Sequence, residues 1–377
     1  MKIEFFRHNI SQKDIQNTAL ALKSVFLTTG KTTQDFEKKF AQYLGVKCAV
    51  GVTSCTGAMH LSLAVFGIGQ GDEVITTPLS FVSTAHVIEE AGAKPVFVDV
   101  EKETGNIDAN LIEKAITKKT KAILPVHLYG QMVDMKKIRK IADRHQLKVI
   151  EDAAHCIEGK REGVRPGQLG DTACFSFYAT KSITCGEGGI IALNNEKVAK
   201  TLKKIRLHGL EQSAYERYEK KFSHPDVEIF GWKYNMDNIQ AALLLGQLGR
   251  IDKLWQRREE ICQIYERAFK NRREIDFPKT LPRVKNARHL FTIWVPPKKR
   301  ERIRKGLIEK GIPTAVHYYP PIHLLTFYRQ KYGYKPGDFP NAEEISRRII
   351  TLPLYPKLKN KEIDFIIKSV NEVSLHY

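Results

Sequence analysis

Between about residues 34 and 206 short apolar runs alternate with amphipathic ones, and this alternation limits the fold more than any other property of the chain. The strand-like runs are 48–52, 73–76, 95–99, 122–126, 148–151, 172–177 and 190–193; helical periodicity lies between them over 56–65, 84–91, 108–116 and 134–144. A connection long enough to return the chain for a parallel strand is long enough to be a helix. The expected class is therefore α/β, a mostly parallel sheet between helices. Residues 207–235 break the rhythm: they are polar, contain Gly209, Pro225 and Gly231, and read as a long surface excursion. Residues 236–268 then read as one long helix or two nearly continuous ones. Strands near 289–295 and 314–318, with helices near 299–310, 342–350 and 362–373, suggest a smaller α+β domain. A boundary near residue 250 divides a large domain, 1–250, from a small one, 251–377.

A chain of 377 residues buries a full core without a metal or disulfide. Its six cysteines show no C-x-x-C pair and no zinc-like spacing, so no metal site is expected and the thiols read as reduced and mostly buried. No apolar run approaches the ~20 residues of a membrane span, and residues 1–7 lack the layout of a signal peptide, so a cytoplasmic location and no membrane partner are expected. The 61 Lys and Arg outnumber the 42 Asp and Glu, for a net charge of +19. That excess raises nucleic acid, anionic lipid and phosphorylated small molecules as partners. Because the positive residues are spread through helices, as in 299–305, they read as a solvated face that draws anionic substrates, and nucleic-acid binding is not expected.

Chemistry concentrates at the ends of two apolar runs. The run 147–154 ends in Asp152, at the sheet edge where α/β folds place ligands, and the run 170–177 delivers Ser176 and then Lys181, followed at once by a glycine-rich turn. An amine and a carboxylate from neighbouring strand ends are what pyridoxal 5'-phosphate requires: a lysine for the Schiff base and an anion opposite the ring nitrogen. Lys181 would hold the cofactor and, once displaced by substrate, shuttle a proton. A lysine near a strand end, taken alone, is structural or solvated, and Asp152 could equally cap the segment that follows it. His155 could bond the cofactor's phenolic oxygen, pack on its ring, or be a core histidine. Ser54, Cys55 and Thr56 lie between a strand and a helix, where exposed N–H groups and hydroxyls make an anion cradle, with Ser176 offering another hydroxyl; any such turn is also an ordinary N-cap. Phe81 opens the next helix and fits either the face of a cofactor ring or the core.

With the segments 53–59, 151–155, 175–189 and 231–242 in this order, the chain resembles the DegT/DnrJ/EryC1/StrS family of sugar aminotransferases, fold-type I pyridoxal-phosphate enzymes, over nearly its full length. Segments 27–30, 125–131, 206–209 and 352–356 support the likeness. The resemblance implies a homodimer with active sites at the subunit interface and a cofactor phosphate touched by a partner residue from 232–235. Where the family commonly reads Gly-Tyr-Asn-Tyr-Arg-Met this chain has Gly-Trp-Lys-Tyr-Asn-Met, so Lys233 or Asn235 would make that contact. A further departure is Cys55 followed by Gly57, in place of the usual Gly and Ala.

The implied reaction moves an amino group from L-glutamate, which leaves as 2-oxoglutarate, to a keto carbon of a nucleotide-linked sugar. Segments 150–155, 208–210 and 214–217 look most like the branch that aminates C4 of UDP-linked 4-keto sugars; amination at C3 is the rival reading. Thr29, Arg217, His317 and His323, with Lys233, are the candidates for holding sugar or diphosphate. The family's sugar dehydratases have histidine in place of the lysine, so Lys181 speaks against that chemistry. A reading from another class is a basic regulatory or nucleic-acid-binding module on the same fold, which would leave the lysine and the acid without a task.

Overall fold

The computed structural model describes residues 1–211, 215 and 226–375. All seven strand-like runs form strands: β1 (Cys48–Val52), β2 (Glu73–Thr76), β3 (Lys94–Phe97), β4 (Thr120–Ile123), β5 (Lys148–Asp152), β7 (Thr172–Ser176) and β8 (Gly189–Leu193), with a two-residue β6 (Lys160–Arg161) outside the main sheet. They pair in the order β1-β8-β7-β5-β4-β2-β3. Every neighbouring pair is parallel except those made by β8, which runs antiparallel to β1 and β7. The carboxyl ends of β1, β5 and β7 and the start of β8 therefore share one edge of the sheet. Burial explains the strand composition: β2, β7 and β8 are buried at every position, so they read as continuous apolar runs without alternation.

Helices fill the connections. α1 (Gln12–Leu22) and α2 (Lys31–Leu44) precede the sheet, and α3 (Cys55–Val65), α4 (Ser83–Glu90), α5 (Met135–Arg144) and α6 (Glu196–Ile205) link or follow its strands. Sequence marks their starts: Ser54 Oγ accepts from Gly57 N at 3.0 Å to cap α3, and Asp134 Oδ1 accepts from Lys137 N at 3.0 Å to cap α5. The helix expected over 108–116 does not form beyond a 3₁₀ turn, Ile112–Ala115. There Asp108 accepts from Asn110 N at 2.8 Å, a local side-chain turn that competes with the helical ladder.

The stretch expected as one long helix or two is two, Asn238–Leu248 and Ile251–Phe269, parted at Gly249 and Arg250. Beyond them β10 (Phe291–Trp294) pairs antiparallel with β11 (Ile349–Leu352), while β9 (Val284–Lys285) pairs with β6. The strand expected near 314–318 is reduced to a single bridge, Ala315 to Thr351. The segment that does pair with β10 is 349–352, whose Ile-Ile-Thr run ends the helix Pro340–Arg348 short of the expected 350. Tyr265, Phe269, Phe291, Ile293 and Ile350 build the second core, and Ile3 inserts into it, its N–H donating to Gly311 O at 2.9 Å. The N-terminal segment is thereby held so that Phe5 and Phe6 face the large cavity described below. Of the excursion over 207–235, the described arms pair with each other through Leu207 with Lys233 and Leu210 with Val227.

Candidate active site

A cavity of about 560 Å3 opens at the carboxyl edge of the sheet, and Asp152, Lys181, Ser54, Ser176 and His155 all face it. Asp152 is the last residue of β5 and is buried; its Oδ2 accepts from Thr84 Oγ1 at 2.8 Å and its Oδ1 from Ala154 N at 3.1 Å. The Cys55 thiol stands 3.9 Å from the same Oδ1, and burial first, with Asp152 next, pushes that thiol well up, so it stays protonated and donates. These three donors fix the carboxylate at the floor of the cavity.

Lys181 follows the turn after β7, its N–H donating to Tyr178 O at 2.9 Å. Burial lowers the amine to about 8, against the weaker opposing pull of Asp152 and Cys55. At pH 7.5 about a quarter of the amines would then be neutral, against about one in a thousand for an ordinary lysine. Such an amine condenses readily with an aldehyde.

The start of α3 supplies an anion cradle. Ser54 satisfies Gly57 N with its hydroxyl and Ala58 N with its carbonyl, at 3.0 and 2.9 Å, while the helical ladder offers no partner to the N–H groups of Cys55 and Thr56. Ser176 accepts from Tyr178 N at 3.3 Å, and among the described residues its O–H has no acceptor, so it can donate into the cavity it lines. A β-carbon on Gly189 would lie 2.3 Å from Ser54 C, so only glycine lets β8 pass this close beneath the cradle. An electrophile-seeking amine, a fixed carboxylate and an anion cradle in one cavity fit a phosphorylated aldehyde with a basic ring nitrogen, which is pyridoxal phosphate.

Around these groups stands an aromatic wall. His155 Nδ1 accepts from Tyr129 N at 3.2 Å, which leaves Nε2 to carry the proton and face Tyr318 Oη at 3.3 Å. Burial, and Lys181 next, push His155 well below the ordinary histidine range, so it is neutral. Phe81, 58 % exposed, lines the mouth with its ring 6.0 Å from that of Tyr318. His317 also faces the cavity; its Nδ1 lies 2.9 Å from Thr351 Oγ1, and burial lowers it to about 4.

Other candidates lie elsewhere. Thr29 is buried away from the cavity, donating to Met236 O at 2.6 Å and accepting from Asn235 Nδ2 at 2.7 Å. His323 is buried against Phe339, with Nε2 3.2 Å from Glu343 Oε1. Neither reaches the cavity. Lys233 is exposed and bonds Asn235 Oδ1, and neither of the two lines the cavity of its own chain. Arg217 lies outside the described residues. Sequence reasoning did not single out Thr84, which bonds Asp152, His289, which meets the Lys181 amine, Tyr318, which lines the cavity, or Tyr129, whose N–H holds His155; Thr84 carried a signal as the first hydroxyl of a predicted helix, and Tyr129 lies in the 125–131 segment. Among the described residues no group of three or more His, Cys, Asp or Glu is placed to hold a metal, and no helix is long and apolar enough to cross a membrane.

Fold and site together define a pyridoxal-phosphate-dependent aminotransferase of fold type I. Residues 8–371 match the model of the DegT/DnrJ/EryC1/StrS aminotransferase family, and the chain belongs to that family. It is 41 % identical over 370 residues to the spore coat polysaccharide biosynthesis protein SpsC of Bacillus subtilis, covering 97 % of this chain and 95 % of that one. Among solved structures, the Streptococcus pneumoniae protein Spr1654 in its PMP form superposes with a TM-score of 0.94 at 31 % identity, over 100 % of both chains. PseC of Helicobacter pylori, an aminotransferase of pseudoaminic acid biosynthesis, gives a TM-score of 0.93 at 30 % identity, again over 100 % of both chains. The protein is a sugar aminotransferase, and its cofactor is pyridoxal phosphate.

Proposed function

We propose that the protein transfers an amino group from L-glutamate to the C4 keto carbon of a UDP-linked 4-keto sugar. The observation that carries the catalytic reading is the shared cavity of Lys181, Asp152 and the start of α3. When bound, pyridoxal phosphate supplies a carbon that carries the amino group between substrates and a ring that accepts the electron pair left by a departing proton. Asp152, held by Thr84 and Ala154 N, would keep the proton on the ring nitrogen. Lys181 would be the group that attaches the cofactor, and its amine would move the proton at the substrate carbon. The N–H groups of Cys55 and Thr56 and the hydroxyl of Ser176 would bind the phosphate. Phe81 and His155 line the cavity where they would flank the ring.

The choice of C4 and of UDP rests on the sequence of segments 150–155, 208–210 and 214–217, which resemble the branch with that activity; the SpsC likeness supports a sugar destined for a surface polysaccharide. The large positive excess suits a diphosphate substrate. We place the active unit as a cytoplasmic homodimer in which Lys233 or Asn235 of one protomer completes the phosphate site of its partner, consistent with their lying off their own chain's cavity. The test is incubation with glutamate and a panel of UDP- and dTDP-linked 3-keto and 4-keto sugars, products read by mass spectrometry and NMR. An amine at C4 of a UDP sugar is expected; amination at C3, or of dTDP sugars alone, overturns the assignment.

A further inference from the structure

Among the described residues, the hydrogen-bond partner of the Lys181 amine is His289, whose Nε2 stands 3.5 Å from Nζ. Several contacts hold that imidazole where it is. Its peptide N–H donates to Tyr129 O at 3.1 Å, and its ring centroid lies 4.4 Å from that of His155. Behind it, Arg258 Nε donates to Arg288 O at 3.1 Å, and the same guanidinium forms a buried ion pair with Glu158. The other oxygen of Glu158 accepts from Ser182 Oγ at 3.4 Å. One ion pair therefore touches the residue before His289 and the residue after Lys181.

We propose that His289 is a positioning residue for the reaction: its Nε2 accepts a hydrogen bond from the Lys181 amine and keeps that amine facing the cavity whenever it is not joined to the cofactor, while the Arg258–Glu158 pair sets the distance between them. The inference rests on the reading of Lys181 as the group that attaches the cofactor and moves the proton. Released from the cofactor, a lysine side chain has four rotatable bonds, and misplacement by about 1 Å costs on the order of 100-fold in rate. An acceptor at Nζ removes that freedom.

The role requires a neutral ring with Nδ1 protonated. The charged and titratable groups around it are Lys181, His155, His317 and Arg258, with Tyr318 and Asp152 beyond. Burial, and then the cations Lys181 and Arg258 with His317, push His289 well below the ordinary histidine range. Because Lys181 at about 8 keeps the shared proton, His289 accepts a hydrogen bond and does not take the proton itself.

The experiment compares His289→Leu with His289→Gln, whose side-chain carbonyl reaches the Nε2 position. In cofactor-free protein, acetic anhydride labelling of Lys181 across pH, mapped by mass spectrometry, gives the midpoint of the amine. Loss of the acceptor destabilises the ammonium form, so the leucine variant should titrate about one unit lower and the glutamine variant within about 0.3 unit of wild type. In the loaded enzyme, kcat should fall about 100-fold for leucine with KM values within about threefold, and glutamine should restore at least about tenfold. An unchanged midpoint with kcat near wild type, or glutamine no better than leucine in both measurements, overturns the proposal. Should the leucine variant fail to fold, His289→Asn, whose amide stops at the Nδ1 position, takes its place in the same comparison. Borohydride trapping of each loaded variant separates the two readings: an adduct on Lys181 with unmoved midpoints and kcat near wild type refutes His289 alone, whereas an adduct missing from Lys181 in the wild type refutes the reading beneath it.

Discussion

Gly189 of β8 lies so close under Ser54 that a β-carbon would meet Ser54 C at 2.3 Å, Ser54 O at 2.5 Å and Cys55 N at 2.6 Å. All three are backbone atoms at the start of the helix that would bind the cofactor phosphate, so nothing flexible can give way. Gly189→Ala should displace the cradle, weaken pyridoxal-phosphate binding by at least about tenfold and cost on the order of 1–3 kcal/mol in stability. Equilibrium dialysis of the cofactor and thermal melts of the cofactor-free protein measure both; unchanged affinity would mean that the cradle is elsewhere.

Burying an amine has a cost in the absence of cofactor. Lys181 is lowered by burial to about 8 from an unfolded value of 10.5, so between those values the unfolded chain binds more protons and stability rises with pH. Below about 8 the cost is fully present, roughly 3 kcal/mol as an upper bound. Lys181→Met should therefore melt higher than wild type at pH 7 in the cofactor-free state, with the difference shrinking as pH rises through 8 to 10.5. A gain that does not change across that window contradicts the assigned cause. Turnover should be abolished in the same variant.

Asp152→Asn keeps the size of the side chain and can keep the bonds to Thr84 and Ala154 N, but removes the charge. Folding should be preserved, with kcat lowered on the order of 100-fold or more, since the ring loses the anion that keeps its nitrogen protonated. Thr84→Val leaves the charge and removes one donor; a loss of about three- to tenfold is expected. Steady-state kinetics that rank the two variants the other way would exclude the counter-charge role.

The Arg258–Glu158 pair has both side chains almost wholly buried. Removing one partner strands the other charge, so Arg258→Met should lower stability by about 3–5 kcal/mol, whereas Arg258→Met with Glu158→Gln should recover part of it. Chemical denaturation of the single and double variants gives the coupling. A loss in the double variant equal to the sum of the losses in Arg258→Met and Glu158→Gln measured singly would show that the pair carries no coupling energy.

The sheet was legible because each of its strands is a short apolar run set between helical ones, and the strands that carry Asp152 and Ser176 were placed to within a residue or so. The placement of Asp152 and Lys181 was legible for a related reason: Asp152 ends β5 and Lys181 follows the turn after β7, so position in sequence sets position at the sheet edge. His289 was not. It meets Lys181 only because the second core docks the 286–289 segment against the sheet through Arg258 and Tyr129 O, a long-range contact that no local pattern encodes. The failed helix at 108–116 and the misplaced strand at 314–318 have a similar cause. Apolar spacing there matched the expected element, yet a side-chain turn at Asp108 and the pairing of 349–352 with β10 decided the outcome. Thr29 and His323 drew attention as polar residues in suggestive segments, and both turn out to bond inside the chain, Thr29 to Met236 O and His323 to Glu343, away from the cavity.

Reduction of the loaded enzyme with borohydride, followed by peptide mapping, addresses the central claim most directly. The account predicts a single pyridoxyl adduct on Lys181, lost in Lys181→Met. An adduct on any other lysine, or none while the cofactor remains bound, would contradict it.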